Sequence, residues 1–272
     1  MVTTEQKATL TQTGPGTPLG ELLRRSWLPF ALTDDLTGSA SVRQMTVLSQ
    51  RLVLFRDRSG CTGLIQERCP HGGWPMASGA VDDSGIVCGR HGWRFDVEGN
   101  CSVIGYGGKV YPMAWARART YPVLPYAGMY WTYLGPPPAP ELPADDVLSR
   151  RDGRRRITVY PVCESDWFSA ISRALCRGLS NGATPAHPML LAAHEAAPAL
   201  WLLVPIDDGH TWRACVEFLP AADGAAVPEE DVEIVRAERP LHTPVEGAGN
   251  IGADGRAQAF AERMLAEIER MR

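Results

Sequence analysis

The sequence predicts an α+β protein with two domains, and two patterns along the chain support this. Between about Ser41 and Leu134 the chain consists of short β-type runs separated by glycine and aspartate, which is typical of an antiparallel barrel or sandwich. Beyond a proline-rich stretch, strands alternate with longer helical stripes. We therefore expect an antiparallel β domain over residues 19–143 and an α+β domain over residues 155–272.

The first domain is predicted to begin with a short helix after a polar tail. Thr17 followed by Pro18 places an N-cap residue before a proline at the first helical position. The apolar face of this helix is predicted to contain Leu19, Leu22, Leu23 and Trp27. The strands that follow are expected in the runs RQMTVL, RLVLFRD, GIVCGR and MYWTYLG.

The second domain follows a predicted linker at residues 135–146, which its prolines would keep stiff and extended. A strand is expected at RITVYPV, and then a helix over residues 166–179 that is capped by Asp166. The apolar face of that helix would contain Phe168, Ile171, Leu175 and Leu179.

Two paired strands and a final helix complete the prediction. WLLVPIDD and HTWRACVEFLP are typical of a hairpin with its turn near Asp208 and Gly209. Asp254 would cap the last helix, whose apolar stripe we interpret as core packing. The stripe consists of Ala257, Phe260, Ala261, Met264, Leu265 and Ile268.

The composition argues against several classes of function. With 27 basic and 31 acidic residues, a net charge of −4 and no basic stripe, the chain is not expected to bind nucleic acid. No apolar run has the length of a signal peptide or a membrane span, so we expect a soluble, cytoplasmic protein with no membrane partner. Seven scattered cysteines do not suit a disulfide scaffold, which favours free thiols or metal-bound thiolates.

The candidate site consists of Cys69 and His71 and, after sixteen intervening residues, Cys88 and His91. Each half of this C-x-H…C-x-x-H pattern offers one thiolate and one imidazole on a tight loop. Two such loops brought together present two sulfurs and two nitrogens to one centre, as a Rieske-type [2Fe–2S] cluster requires.

A structural zinc site is the alternative, because zinc also binds two cysteines and two histidines, although its motifs usually pair like with like. The residues beside the four candidate ligands favour iron. Small residues there leave backbone N–H groups free to donate to cluster sulfides. These residues are Pro70, Gly72, Gly73, Gly89 and Gly92.

The segments CPHGGWPMASG, CGRHGWRFDVEGNC and YPVLPYAGMYWTYLGPPPAPELP resemble the Rieske domain of Rieske non-heme iron oxygenases, of the α-subunit type. The resemblance covers most of residues 19–143 and implies that the four candidate residues hold a [2Fe–2S] cluster. Two departures are Gly72, where the family often has arginine, and Arg90, where an aromatic or polar residue is common. The other cysteines are interpreted as ordinary buried or half-buried thiols, namely Cys61, Cys101, Cys163, Cys176 and Cys215.

The resemblance also implies a helix-grip-like second domain holding a mononuclear iron on two histidines and a carboxylate. An alignment without gaps from Asp166-Trp167 replaces the polar residues of that site by Arg173, Cys176, Leu179 and Thr184. An alignment shifted by eight residues instead offers His187, His194 and Asp231, with Thr184 in place of the bridging aspartate. Because the run between these histidines and VPIDDGHT is short, we expect a truncated domain without mononuclear Fe(II). The histidines His187, His194, His210 and His242 are then surface or hydrogen-bonded residues.

Three functional hypotheses follow. In the first, the chain is an electron-transfer subunit that receives electrons from a ferredoxin or flavin reductase and serves a catalytic sister subunit in a trimeric or hexameric ring. In the second, it is a self-sufficient monooxygenase whose iron is bound by His187, His194 and Asp231. In the third, the cluster only stabilises a scaffold, since metal-binding energy can contribute to folding.

Overall fold

The computed structural model describes residues 2–37, 41–104, 109–142, 146–149, 153–180, 189–193, 199–220, 231–238 and 255–271. These ranges contain five α-helices and seventeen strands, and the strands form four sheets. One pair of strands is parallel, and the other pairings are antiparallel. The predicted α+β class is therefore confirmed.

The helices are α1 (Thr4–Thr11), α2 (Pro18–Leu23), α3 (Asp146–Ser149), α4 (Trp167–Cys176) and α5 (Gly255–Met271). Helix α2 begins as predicted, since the Thr17 side chain accepts the N–H of Gly20 at 3.2 Å. Trp27 was predicted to lie on the apolar face of this helix, but that prediction is wrong. Its backbone pairs with Tyr133 in a sheet. In the part of the chain that the structure describes, no helix is both long and apolar enough to cross a membrane.

Helix α1 occupies the segment that was predicted to be a polar tail. Its start is a capping box, in which Thr3 and Gln6 exchange backbone-to-side-chain hydrogen bonds of 2.9 and 3.2 Å. Leu10 is fully buried and attaches the helix to the main core. A capping box and one buried leucine therefore characterise this helix, which has no continuous apolar stripe.

The first part of the chain forms three sheets. Their strands are β1 (Trp27–Leu32), β2 (Val42–Val47), β3 (Gln50–Arg56), β4 (Thr62–Gln66), β5 (Ala80–Asp82), β6 (Gly85–Val87), β7 (Trp93–Phe95), β8 (Asn100–Ile104), β9 (Val110–Arg117), β10 (Thr120–Tyr121), β11 (Val123–Tyr126) and β12 (Met129–Tyr133). The strand orders are β1-β12-β11, β10-β4-β3-β2 and β5-β6-β7-β8-β9. The loop with Cys69 and His71 follows β4, and the loop with Cys88 and His91 connects β6 to β7.

The second part forms one sheet of five strands, in the order β14-β15-β16-β13-β17. They are β13 (Gly153–Cys163), β14 (Leu190–Ala193), β15 (Ala199–Pro205), β16 (Thr211–Pro220) and β17 (Val232–Arg236), of which β13 and β17 are parallel. Strands β15 and β16 form the predicted hairpin, with Pro205 opposite Thr211. Helix α4 packs against β15, where the indole N–H of Trp167 donates to the carbonyl of Leu203 at 2.9 Å.

Helix α4 is shorter than predicted. It begins after Asp166, as expected, but it ends at Cys176 because Gly178 has a φ of +98°, which is left-handed. Leu179 lies beyond the helix and is nevertheless buried. The last helix, α5, is present as predicted, whereas its proposed cap, Asp254, lies outside the described residues.

Two hydrophobic clusters contain residues from both parts of the chain, and the larger one is the main core. Leu52 and Leu54 of β3 belong to it together with Trp167 of α4 and Phe260 of α5. The predicted linker is itself packed, since Pro140 accepts a hydrogen bond from the Trp27 indole at 2.8 Å. It leads into helix α3 instead of remaining extended throughout.

Candidate metal centre

The structure brings the four candidate ligands together on two loops. We call residues 69–74 the first ligand loop and residues 88–93 the second ligand loop. Cys69 and Cys88 are buried, with 3% and 2% of their surface exposed. His71 and His91 are exposed, and their ring centroids are 4.8 Å apart. The thiols therefore lie on the protein side of the site and the imidazoles at the surface.

The two loops have the same backbone hydrogen bonds. In the first ligand loop the N–H of Cys69 donates to the backbone carbonyl of Trp74 at 2.9 Å, and the N–H of Gly73 donates to the backbone carbonyl of Cys69 at 2.8 Å. The second ligand loop repeats both bonds, at 2.8 and 3.0 Å, between Cys88, Trp93 and Gly92. The hexapeptides CPHGGW and CGRHGW form an internal repeat that carries this arrangement, although no internal repeat was predicted from the sequence.

Two glycines make these loops possible. Gly73 has a φ of +70° and Gly92 a φ of +68°, which lie in the left-handed region that glycine enters without steric cost. A Cβ atom at either position would meet nothing within 4 Å. Backbone conformation, and not lack of space, is therefore the reason for glycine at both positions.

The Cys69 sulfur lies in an environment suited to a metal-bound thiolate. Burial raises the pKa of this thiol, and the neighbouring Cys88 thiol raises it further, whereas backbone N–H groups of His71 and Gly72 lower it. Two buried thiols side by side cannot both ionise without a compensating cation. A metal ion provides that cation, and the N–H groups are already directed at the sulfur.

The side chains of the site are divided into a pair of thiols and a pair of imidazoles. Among the described residues, no three His, Cys, Asp or Glu side chains form a group that could hold one metal ion. The two thiols instead contact each other, and the two imidazoles contact each other. This division fits a Rieske-type cluster, which takes two thiolates on one iron and two imidazoles on the other, better than tetrahedral zinc.

Aromatic side chains lie beside His71 and at the rim of the site. The His71 ring is stacked on Trp93, with centroids 4.0 Å apart and an interplanar angle of 6°. Trp93 meets the edge of Trp115 at 5.2 Å, and Trp115 is 73% exposed. The Arg90 guanidinium lies 5.1 Å from the centroid of Trp74. The sequence signal for these contacts was the tryptophan that ends each copy of the repeat.

The residues predicted at the second iron site are separated in the structure or lie outside it. Arg173 and Cys176 are on α4, and Leu179 is buried in the main core. Asp231 precedes β17 and forms an ion pair with Arg154 at 3.1 Å. Thr184, His187, His194 and His242 lie outside the described residues.

His210 is at the surface, as predicted. Its Nδ1 atom is 2.8 Å from Oδ1 of Asp207 in the hairpin between β15 and β16. Burial tends to raise the pKa of Asp207, but hydrogen bonds from Gly209 and His210 outweigh it and the pKa is lowered. His210 therefore stabilises a turn.

The remaining cysteines differ in exposure. Cys101 and Cys215 are buried and Cys163 and Cys176 are half-buried, as the sequence suggested, but Cys61 is exposed because it lies in the turn between β3 and β4. Burial raises the pKa of Cys101 to about 11, with a contribution from Cys69. Burial and the nearby Glu217 raise the pKa of Cys215 to about 12.

Comparison with known proteins identifies one matching family model, two similar relatives and one similar solved structure. Residues 26–112 match the model of the Rieske [2Fe–2S] domain. The 5,5'-dehydrodivanillate O-demethylase oxygenase subunit of a Sphingobium species is 37% identical over 191 residues, which are 69% of this chain and 43% of that subunit. The 3-chlorobenzoate-3,4-dioxygenase oxygenase subunit of Comamonas testosteroni is 29% identical over 260 residues, which are 85% of this chain and 58% of that subunit.

Thus the chain spans roughly half the length of these two subunits. Among solved structures, the reduced complex between oxygenase and ferredoxin in carbazole 1,9a-dioxygenase has a TM-score of 0.56 and 14% identity. The match covers 79% of this chain and 77% of that one. At this identity the likeness concerns the fold.

Proposed function

We propose an electron-transfer role for this chain, which carries a Rieske [2Fe–2S] domain and is homologous to the α subunits of Rieske oxygenases. The chain would receive electrons from a ferredoxin or flavin reductase and pass them to the mononuclear iron of a partner catalytic subunit. Cys69 and Cys88 would bind one iron of the cluster, and His71 and His91 the other. Such a cluster supplies one-electron transfer at a higher potential than an all-cysteine cluster.

The exposed position of the two imidazoles is the observation that carries this proposal. His71 and His91 are at the surface while both thiols are buried. A partner protein can therefore approach the histidine side of the site directly. The buried thiols and the glycine-dependent loops keep that side in a fixed position.

The sheet of the second part of the chain argues against the alternative, a self-sufficient monooxygenase with iron on His187, His194 and Asp231. Ala193, which directly precedes His194, lies on edge strand β14, and Asp231 directly precedes the opposite edge strand, β17. Backbone pairing leads from one edge of the sheet to the other, one residue on each strand. In order, these residues are Ala193, Ala199, Glu217, Arg156 and Glu233. Four interstrand spacings of about 4.8 Å separate these edges by about 19 Å.

Metal–ligand bonds of about 2 Å require the ligand side chains to converge on one point. A separation of about 19 Å along the sheet is several times the length of an aspartate side chain, so Asp231 would not reach a metal ion held near Ala193 at the far edge. In addition, Asp231 is already paired with Arg154. We therefore assign O2 activation to a partner chain.

Two kinds of partner belong to this proposal. The first is a reductase or ferredoxin, and a ferredoxin is bound to the oxygenase in the carbazole 1,9a-dioxygenase complex. The second is a catalytic sister subunit, with which the chain would form a trimeric or hexameric ring. In such a ring, the exposed histidines would face the neighbouring subunit or the reductase.

The test is the iron and acid-labile sulfide content of anaerobically purified protein, together with EPR of the dithionite-reduced sample. We expect about two irons and two sulfides per chain and only a Rieske-type signal. The Cys69→Ala variant should lose the visible cluster absorption, whereas the control Cys61→Ala should retain it. A third iron per chain would overturn the electron-transfer role, and an unchanged spectrum in Cys69→Ala would overturn the ligand assignment.

A further inference from the structure

Besides the thiol pair and the imidazole pair, two side-chain contacts connect the ligand loops, and these two are reciprocal. His71 of the first ligand loop stacks on Trp93 of the second. Arg90 of the second ligand loop lies over Trp74 of the first. Because Trp74 and Trp93 occupy equivalent positions in the repeat, each loop places one side chain on the tryptophan of the other.

The two tryptophans differ in how firmly they are held. Trp93 is 7% exposed and packs in the hydrophobic cluster beneath the loops, with Met76 and Phe95. Trp74 is 39% exposed. The His71 ring therefore rests on a fixed surface, whereas the Arg90–Trp74 contact lies at the rim.

The two ligand loops differ in the side chains beside their histidines. Gly72, which follows His71, offers no side chain. Arg90, which precedes His91, reaches across to Trp74 with its guanidinium. The cation that contacts Trp74 is therefore attached to the second ligand loop.

We propose that Trp93 is a positioning residue for His71 and that the Arg90–Trp74 contact is its counterpart, so that the two contacts hold the ligand loops at the spacing the cluster needs. The inference rests on the proposed function, because it concerns the histidine side of the same site. Its physical basis is preorganisation: a flat stack opposes rotation of the imidazole, and a cation over an indole opposes separation of the loops.

The first experiment compares Trp93→Leu with its matched control, Trp74→Leu, at the equivalent loop position. The readouts are the EPR spectrum of the reduced cluster and the rate of chelator-driven cluster loss, followed by visible absorbance. Trp93→Leu should change the EPR spectrum and accelerate cluster loss about fivefold. Trp93→Phe should restore both readouts, and Trp74→Leu should accelerate loss without altering the EPR spectrum.

The second experiment is a double-mutant cycle with Arg90→Gln and Trp74→Leu, which are surface changes that leave Trp93 in place. Each single variant should lose the cluster about two- to fivefold faster, and the double variant no faster than the worse single variant. Additive effects on the loss rate would show that the Arg90–Trp74 contact does not help to retain the cluster. A wild-type EPR spectrum and wild-type loss rate in Trp93→Leu would overturn the positioning role, whereas a wild type without any cluster would overturn the proposed function itself.

Discussion

Cysteine side chains in this protein differ in exposure, and the exposure determines the reactivity of the thiol. Cys61 is exposed, whereas Cys101 and Cys215 are buried and have pKa values raised to about 11 and about 12. Because the thiolate is the nucleophile, the two buried residues remain protonated and unreactive near neutral pH.

This difference predicts the outcome of alkylation. Iodoacetamide at pH 8 should modify Cys61 in the folded protein and leave Cys101 and Cys215 unmodified, as measured by mass spectrometry of peptides. Raising the pH toward 11 should begin to expose Cys101 to the reaction before Cys215, because its pKa is the lower of the two. Labelling of Cys215 at the rate of Cys61 at pH 8 would contradict the burial of that thiol.

The sequence predicts the four candidate ligand residues, but it does not predict their surroundings. Cys69, His71, Cys88 and His91 are recognisable because their spacing along the chain is local. The stack of His71 on Trp93 joins residues on different loops, and it depends on the angle between those loops. Local patterns do not encode that angle, since the sheets beneath the loops determine it.

Among the elements, α4 shows which helix boundaries can be predicted. Asp166 is a strong N-cap signal, and its carboxylate accepts the N–H of Ser169 at 2.8 Å. The apolar period continues through Leu179, so the pattern placed the end of the helix too late. The helix stops earlier because Gly178 adopts a left-handed conformation, which the apolar period does not show.

The cap of α4 leads to a prediction about stability. Asp166→Ala should lower the free energy of unfolding by about 1 kcal/mol, because the N–H of Ser169 loses its acceptor. Asp166→Asn keeps an acceptor and should cost much less. Urea denaturation followed by circular dichroism measures both variants. Equal stability of the alanine and asparagine variants would show that the cap contributes nothing.

At the scale of the whole molecule, β3 connects the site to the second part of the chain. Its alternating side chains are buried on both faces of the sheet. Leu52 and Leu54 belong to the core shared with α4 and α5, while Val53 and Phe55 belong to the cluster that contains Cys69 and Cys88. The prolines at 135–146 predicted a linker between two domains. Composition alone does not reveal that the parts before and after this linker share one core.

Because the two parts of the chain share a core, a substitution that destabilises α5 should also destabilise the ligand loops. Phe260 is 4% exposed and contacts both aromatic rings at the start of α4, with centroid distances of 5.9 Å to Trp167 and 6.3 Å to Phe168. Phe260→Ala should therefore cost about 3–5 kcal/mol of stability. Leu265→Ala, at a half-buried position on the same helix, is the control and should cost less.

The measurement is thermal unfolding of cluster-loaded protein, followed by far-UV circular dichroism and by visible absorbance of the cluster. Because β3 joins both cores, Phe260→Ala should lower both transitions by the same amount, as one cooperative unit. A cluster transition that stays at the wild-type temperature while the circular dichroism transition falls would mean that the ligand loops and their sheets unfold independently of α5. In that case the two parts of the chain would be separate domains despite the core they share.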